Sequence, residues 1–166
     1  EVGLFSGIHA TDWSWSSLFL DFDNDGLKDL FISNGINKRM NDIDYINYLS
    51  NTEVQMTNQE REAFNNDVAL IKKLPEVAMP NKFYRNKGNL VFEDGAAGIA
   101  NDQSTFSNGA VYADFDNDGD RDLVISQDFR VLVMSNDGAG RFTLEFGSST
   151  KAQSFSLAAA DYDRDG

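Results

Sequence analysis

The chain has 166 residues, 41% of them hydrophobic and 13 of them Phe, which suffices for one ordinary domain with a real core and is too apolar for a disordered segment. Its 27 acidic and 14 basic residues give a formal charge of −13, which argues against nucleic-acid binding through a general field, because phosphate affinity comes from Lys and Arg releasing counterions. Cysteine is absent and His9 is the single histidine, so disulfides and thiol chemistry are excluded and most zinc catalysis with them. No apolar run approaches the ~18 residues of a membrane span, and the start Glu1-Val-Gly-Leu4 lacks the basic and hydrophobic parts of a secretion signal. An export signal is expected outside this chain.

In chain order, the first element is Ser14-Trp-Ser-Ser-Leu-Phe-Leu20, an apolar run that enters Asp21-Phe-Asp-Asn-Asp-Gly-Leu-Lys-Asp29. Behind it, Leu30-Phe-Ile-Ser33 is a short bulky run that reads as a buried strand. The texture then changes over residues 36–82. Met40, Ile43, Ile46 and Leu49 suggest a short helix; Thr57-Asn-Gln-Glu60 is a capping box, and Phe64, Val68 and Ile71 recur at helical spacing until Pro75. A helical hairpin is therefore expected as an insertion.

The strand pattern resumes with Phe83-Tyr-Arg-Asn-Lys-Gly-Asn-Leu-Val-Phe92, a hairpin whose Asn-x-Gly turn relies on residues that tolerate positive φ. The whole unit then recurs. Ser107-Asn-Gly-Ala-Val-Tyr-Ala113 leads into Asp114-Phe-Asp-Asn-Asp-Gly-Asp-Arg-Asp122, followed by Leu123-Val-Ile-Ser126 and a hairpin from Val133 to Phe142. A third copy begins at Ser154 and reaches Asp161-Tyr-Asp-Arg-Asp-Gly166, before the seventh and ninth loop positions, so more chain is expected beyond it.

Loop starts are 47 residues apart (161 − 114) and 93 apart (114 − 21), which is two periods less one and leaves room for the insertion. About four short strands per period matches a propeller blade. The predicted fold is all-β: a partial β-propeller of about two and a half four-stranded blades with a helical hairpin insertion. Its parts are residues 1–35 with the first loop, the insertion 36–82, and 83–166 with the second loop and the truncated third. Its open edges are expected to attract the remaining blades or copies of the chain.

Twelve of the twenty aspartates lie in the three loops. Carboxylates roughly 4 Å apart repel by about 1 kcal/mol in water and about 4 kcal/mol at a protein surface, so such crowding calls for a counter-ion. In D-x-D-x-D-G-x-x-D the first, third and fifth side chains converge, glycine at the sixth place allows the turn, and the seventh carbonyl and ninth carboxylate complete an oxygen shell. The first site is assigned to Asp21, Asp23, Asp25, the carbonyl of Leu27, and Asp29. The second takes Asp114, Asp116, Asp118, the carbonyl of Asp120, and Asp122; Asp161, Asp163 and Asp165 form an incomplete third. All-oxygen ligation with many carboxylates selects Ca²⁺ over zinc and over water-rich magnesium. Three divalent ions would bring the net charge to about −7. An EF-hand is excluded because its twelfth-position Glu is replaced by Ile32 and Ile125, inside apparent strands. Merely solvated acidic turns would not recur in register three times. The ions are expected to staple strands rather than to bridge to a ligand.

These loops and hairpins resemble the FG-GAP/VCBS repeats of integrin α-subunit-like β-propellers, and bacterial surface proteins that carry them beside an ASPIC/UnbV domain. The resemblance covers nearly everything outside the insertion. It is most specific at Asp21 to Asp29 and Asp114 to Asp122, with Phe106-Ser-Asn-Gly-Ala110 similar to a degenerate FG-GAP segment; the insertion itself, through Asn41 to Leu49 and Leu74 to Asn81, looks like the bacterial subgroup. No ASPIC/UnbV segment is visible in this stretch. The resemblance implies a secreted or cell-surface, calcium-stabilised module for adhesion, binding an extracellular protein or glycan.

Two other classes stand beside it: a propeller-based carbohydrate-active enzyme using two carboxylates, and a purely structural spacer. Catalysis is not expected, because the aspartates with clear context are committed to metal and no nucleophile elbow surrounds a serine. Trp13 and Trp15 suit sugar stacking, but the register of Trp15 with Asn108 and Phe155 favours core packing.

Overall fold

Short runs of β-branched and aromatic residues favour extended chain, and turns rich in Asp, Asn and Gly separate them. The computed structural model describes residues 2–38, 74–95, 103–150 and 156–160. It divides the chain into two compact units, residues 1–35 with 78–166, and residues 36–77.

The larger unit is built from two antiparallel four-stranded sheets, each in sequential order. The first consists of β1 (Ser14–Leu20), β2 (Asp29–Asn34), β3 (Lys82–Asn86) and β4 (Phe92–Asp94). The second consists of β5 (Ser107–Ala113), β6 (Asp122–Gln127), β7 (Arg130–Asn136) and β8 (Phe142–Ser149). Each acidic nonapeptide joins the first two strands of its sheet. The expected strand, loop, strand unit is therefore present twice, with the hairpins where the Asn-x-Gly patterns place them. A five-residue helix α1 (Val2–Ser6), which the sequence did not suggest, precedes β1, and Ile8 just beyond it packs on Leu30, Ile32 and Tyr84. Among the described residues no helix is long and apolar enough to cross a membrane.

Side chains alternate between the faces of a strand, and this decides how the sheets stack. In the first sheet the row Leu18, Phe31 and Phe83 shares one face by direct pairing. It enters a common core with Leu123, Ile125 and Met134 of the second sheet. Phe31 aligns with Val124 in the repeat, so the stacking is head-to-tail: the trailing face of one sheet lies on the leading face of the next. Phe22 closes the seam, its ring 6.3 Å from Phe83 and 6.1 Å from Phe142, both edge-on.

The inner strands approach closely at one repeat position. Ser16 Oγ donates to Asn108 O and accepts from Ala110 N, both at 3.1 Å, so Ser16 sits across from Gly109. On its other side a Cβ at Gly109 would lie 2.9 Å from Ser156 Cα. Residues 16, 109 and 156 each stand five places before the first loop aspartate of their copy. Glycine is required at the middle one because backbone approaches it closely.

In the smaller unit Ile36 and Val77 exchange two backbone hydrogen bonds of 3.0 Å, and Lys38 Nζ lies 2.5 Å from Glu76 Oε1. The helices expected over 40–49 and 57–71 lie outside the described residues, as do Asp161, Asp163 and Asp165.

Candidate metal centres

The two complete loops repeat each other nearly bond for bond. Asp21 accepts the N–H groups of Asp25 at 3.2 Å and Gly26 at 3.0 Å, and Asp114 accepts those of Asp118 and Gly119 at the same two distances. Asp25 Oδ1 accepts Leu27 N at 2.8 Å; Asp118 Oδ1 accepts Asp120 N at 2.9 Å. The fourth residues, Asn24 and Asn117, have φ of 57° and 60°, and the sixth, Gly26 and Gly119, 86° and 96°. Asn and Gly are the residues that adopt this left-handed region at low cost, so the curl is written into the motif.

This curl gathers Asp21, Asp23 and Asp25 in the first loop, with carboxylate oxygens within 4.8 Å of one another. In the second loop it gathers Asp114, Asp116 and Asp122. Asp118 lies outside the second cluster and Asp29 outside the first. Asp23 Oδ1 is buried with no hydrogen-bond partner. A buried carboxylate oxygen without a donor is costly, and an all-oxygen cluster around it fits a hard cation.

The ninth residues have a second task. Asp29 is fully buried, accepting Phe22 N at 3.1 Å and Asn86 N at 2.8 Å. Asp122 does the same with Phe115 N at 2.8 Å and Asn136 N at 2.9 Å. Each ninth carboxylate therefore pins the start of its loop to the end of the sheet's third strand. Burial raises the Asp29 carboxyl above the ordinary carboxylate value, against the lowering by its two backbone donors, and the charges of Asp23 and Asp25 push the same way. Asp116 is raised too, first by desolvation, with Asp118 and Asp122 adding repulsion against a backbone hydrogen bond that lowers it. Carboxylates held together in this way gain from a positive ion between them.

Sequence reasoning overlooked three residues around these loops. Arg85 Nη1 lies 3.7 Å from Asp23 Oδ2, its Nη2 donates to Ala139 O at 2.8 Å, and its guanidinium sits over the Phe22 ring at 5.9 Å. Asn24 and Asn136 reach across the seam between the sheets. The signal for them was Asn at the fourth place of both loops, and the Asn of each Asn-x-Gly turn. Asn86 and Asn136 serve less as turn formers than as hooks into their loops: Asn86 Nδ2 donates to Lys28 O at 2.8 Å and Asn136 Nδ2 to Arg121 O at 3.2 Å.

Trp15 departs from the expected core packing. It is 43% exposed, and its indole N–H donates to Gly35 O at 2.7 Å, while Asn108, in register with it, is buried.

No curated protein and no solved structure matches this chain. The family model of the FG-GAP-like repeat matches residues 114–166, a stretch that starts at the first aspartate of the second loop and runs through the second sheet into the third copy. Residues 114–166 thus carry an FG-GAP-like repeat, and the first sheet has the same loop and strand order.

Proposed function

We propose that the chain is a section of a calcium-stapled β-propeller that displays a rigid surface to a protein or glycan outside the cell or on its surface. The observation that carries this is the duplicated loop: two nine-residue turns with the same hydrogen bonds, each gathering three aspartates, the first at the seam between stacked sheets. Asp21, Asp23 and Asp25 would hold one Ca²⁺, and Asp114, Asp116 and Asp122 another, with Leu27 O and Asp120 O within the same turns. A bound ion offsets carboxylate repulsion and fixes the two strands that each loop joins. Extracellular calcium modules work at about 0.1 to 1 mM, levels met outside cells more readily than in cytosol, which supports a secreted or surface location.

Further blades follow from the same repeat. The trailing face of the second sheet carries the in-register row Val111, Val124, Val133 and Phe146, the counterpart of the buried row Leu18, Phe31 and Phe83, and Phe146 is 60% exposed. A third blade, begun by the segment that reaches Gly109, is its natural cover. The module is assigned binding and no catalysis, since the clustered carboxylates are engaged in holding loops. Release of reducing sugar by the protein, lost on replacing a carboxylate outside the loops, would replace this assignment with an enzyme.

Calcium at one hundred times its dissociation constant adds about 2.7 kcal/mol per site, so two sites add about 5 kcal/mol. Asp116→Ala is expected to lower the melting temperature in calcium and to change it little in excess chelator, because Asp116 belongs to the second cluster, is exposed, and accepts a long 3.3 Å bond from Asp118 N. Equal losses in both conditions would remove the metal from the account.

A further inference from the structure

The two acidic loops are joined to each other by side chains. Asn24, fourth in the first loop, donates through Nδ2 to Asp120 Oδ1, seventh in the second, at 2.5 Å, and lies 3.5 Å from Gly138 O. Asn136 is buried and donates through Nδ2 to Phe22 O of the first loop at 2.8 Å and to Arg121 O of the second at 3.2 Å. Its own N–H holds Asp122 Oδ1 at 2.9 Å. One asparagine thus grips the backbone of both loops and a carboxylate of the second, while the other ties the turn of the first to the residue whose carbonyl belongs to the second.

We propose that Asn24 and Asn136 are positioning residues that couple the loops, so that a divalent cation held in one raises the affinity of the other. The inference rests on the calcium reading given above. A loop that must be ordered on binding weakens its ligand by the cost of ordering; a neighbour that is already ordered and hydrogen-bonded to it removes part of that cost. Ordering the first loop fixes Asn24 in its left-handed conformation and with it Asp120. Ordering the second fixes Asn136, and so the Phe22 carbonyl between Asp21 and Asp23. Coupling of this kind acts equally in both directions.

Charge acts against it, since an ion in one loop reduces the negative potential felt at the other. That opposition is screened over about 8 Å at physiological ionic strength, whereas the hydrogen bonds are short-ranged contacts that salt leaves in place. Coupling is therefore positive at 0.15 M ionic strength, a condition taken as about physiological, and shrinks as salt is withdrawn.

The test is a calcium titration of the full chain followed by ¹H–¹⁵N spectra. The amides of Gly26 and Gly119 report their own loops, because each donates to the first aspartate of its loop at 3.0 Å. Disabling the second loop with Asp116→Ala, or with the closer-fitting Asp116→Asn should the first variant lose spectral dispersion, is expected to move the Gly26 midpoint about 5-fold higher, the lower end of typical coupling. In an Asn24→Ala background the same change should move that midpoint less, because only the Asn136 link then joins the loops. A Gly26 midpoint indifferent to the second loop in the Asn24 protein overturns the coupling and leaves the calcium sites standing. Amides of the unmutated protein that stay put up to about 10 mM calcium, some ten times the weaker extracellular range, overturn both.

Discussion

Phe22 and Phe115 hold the second place in their loops, with the same neighbours in sequence, yet Phe22 is 1% exposed and Phe115 is 44% exposed. Phe22 and the row beside it enter a core shared with the next sheet; Phe115 and the Val124 row belong to a trailing face that no described strand covers. The first ring wedges between Phe83 and Phe142. Burial of the loop phenylalanine is thus a property of having a following sheet, not of the repeat. The same holds at the opposite face, where Tyr112 packs against the shared core and its equivalent, Phe19, is 53% exposed.

The largest expected effect separates these two rings. Phe22→Ala should cost about 3–5 kcal/mol in a urea or guanidinium titration, the usual range for emptying a large buried aromatic site. Phe115→Ala should stay within about 0.5 kcal/mol, as surface changes do. If both cost alike, the trailing face of the second sheet is covered in solution, and a partner blade or a second copy already occupies it.

Much of each sheet was readable from local sequence. Carboxylates at alternate places, glycine at the sixth and short bulky runs on either side are all set within about nine residues, so loop and strand positions emerge from pattern alone. The contacts that join the sheets were not readable, because they link residues far apart: Asn24 to Asp120, Asn136 to Phe22, Arg85 to Ala139. Trp15 shows the limit of register arguments. It aligns with buried Asn108, but Asn108 O is met by Ser16 and Ser33 hydroxyls from the preceding sheet, whereas no described strand precedes the sheet that carries Trp15. The ninth aspartates show the limit of motif arguments. Their place in the pattern reads as a ligand, and the fold also uses them as struts.

That dual use gives the next prediction. Asp29 stands outside its aspartate cluster and spends both oxygens on the Phe22 and Asn86 amides, whereas Asp122 makes the equivalent bonds and also lies within the second cluster. Asp29→Ala strands two backbone donors and should cost about 2–3 kcal/mol, by the usual penalty for unpaired buried donors, to the same extent in calcium and in chelator. Asp122→Ala should lose a similar amount in chelator and more in calcium. Thermal melts of both variants under the two conditions would show this, and a purely calcium-dependent loss at Asp29 would make it a ligand and not a strut.

The smallest expected effect concerns Arg85, the cation beside the first loop. Arg85 approaches Asp23 at 3.7 Å, and its equivalent beside the second loop, one residue before Asn136 as Arg85 is before Asn86, is Ser135. The pair is partly exposed, with side-chain exposures of 31% and 15%, so its worth is near the modest range of surface ion pairs, about 0.2–1 kcal/mol. That contact supports the first loop when no cation is present and competes for Asp23 when one arrives. Arg85→Gln should therefore lower stability in chelator by less than about 1 kcal/mol and raise the calcium affinity reported by the Gly26 amide about 1.4- to 5-fold, the same energy expressed as a ratio. The Gly119 midpoint should follow only as far as the loops are coupled, and a Gly26 midpoint that moves to higher calcium would mean that Arg85 holds the loop open for the ion more than it contends with it.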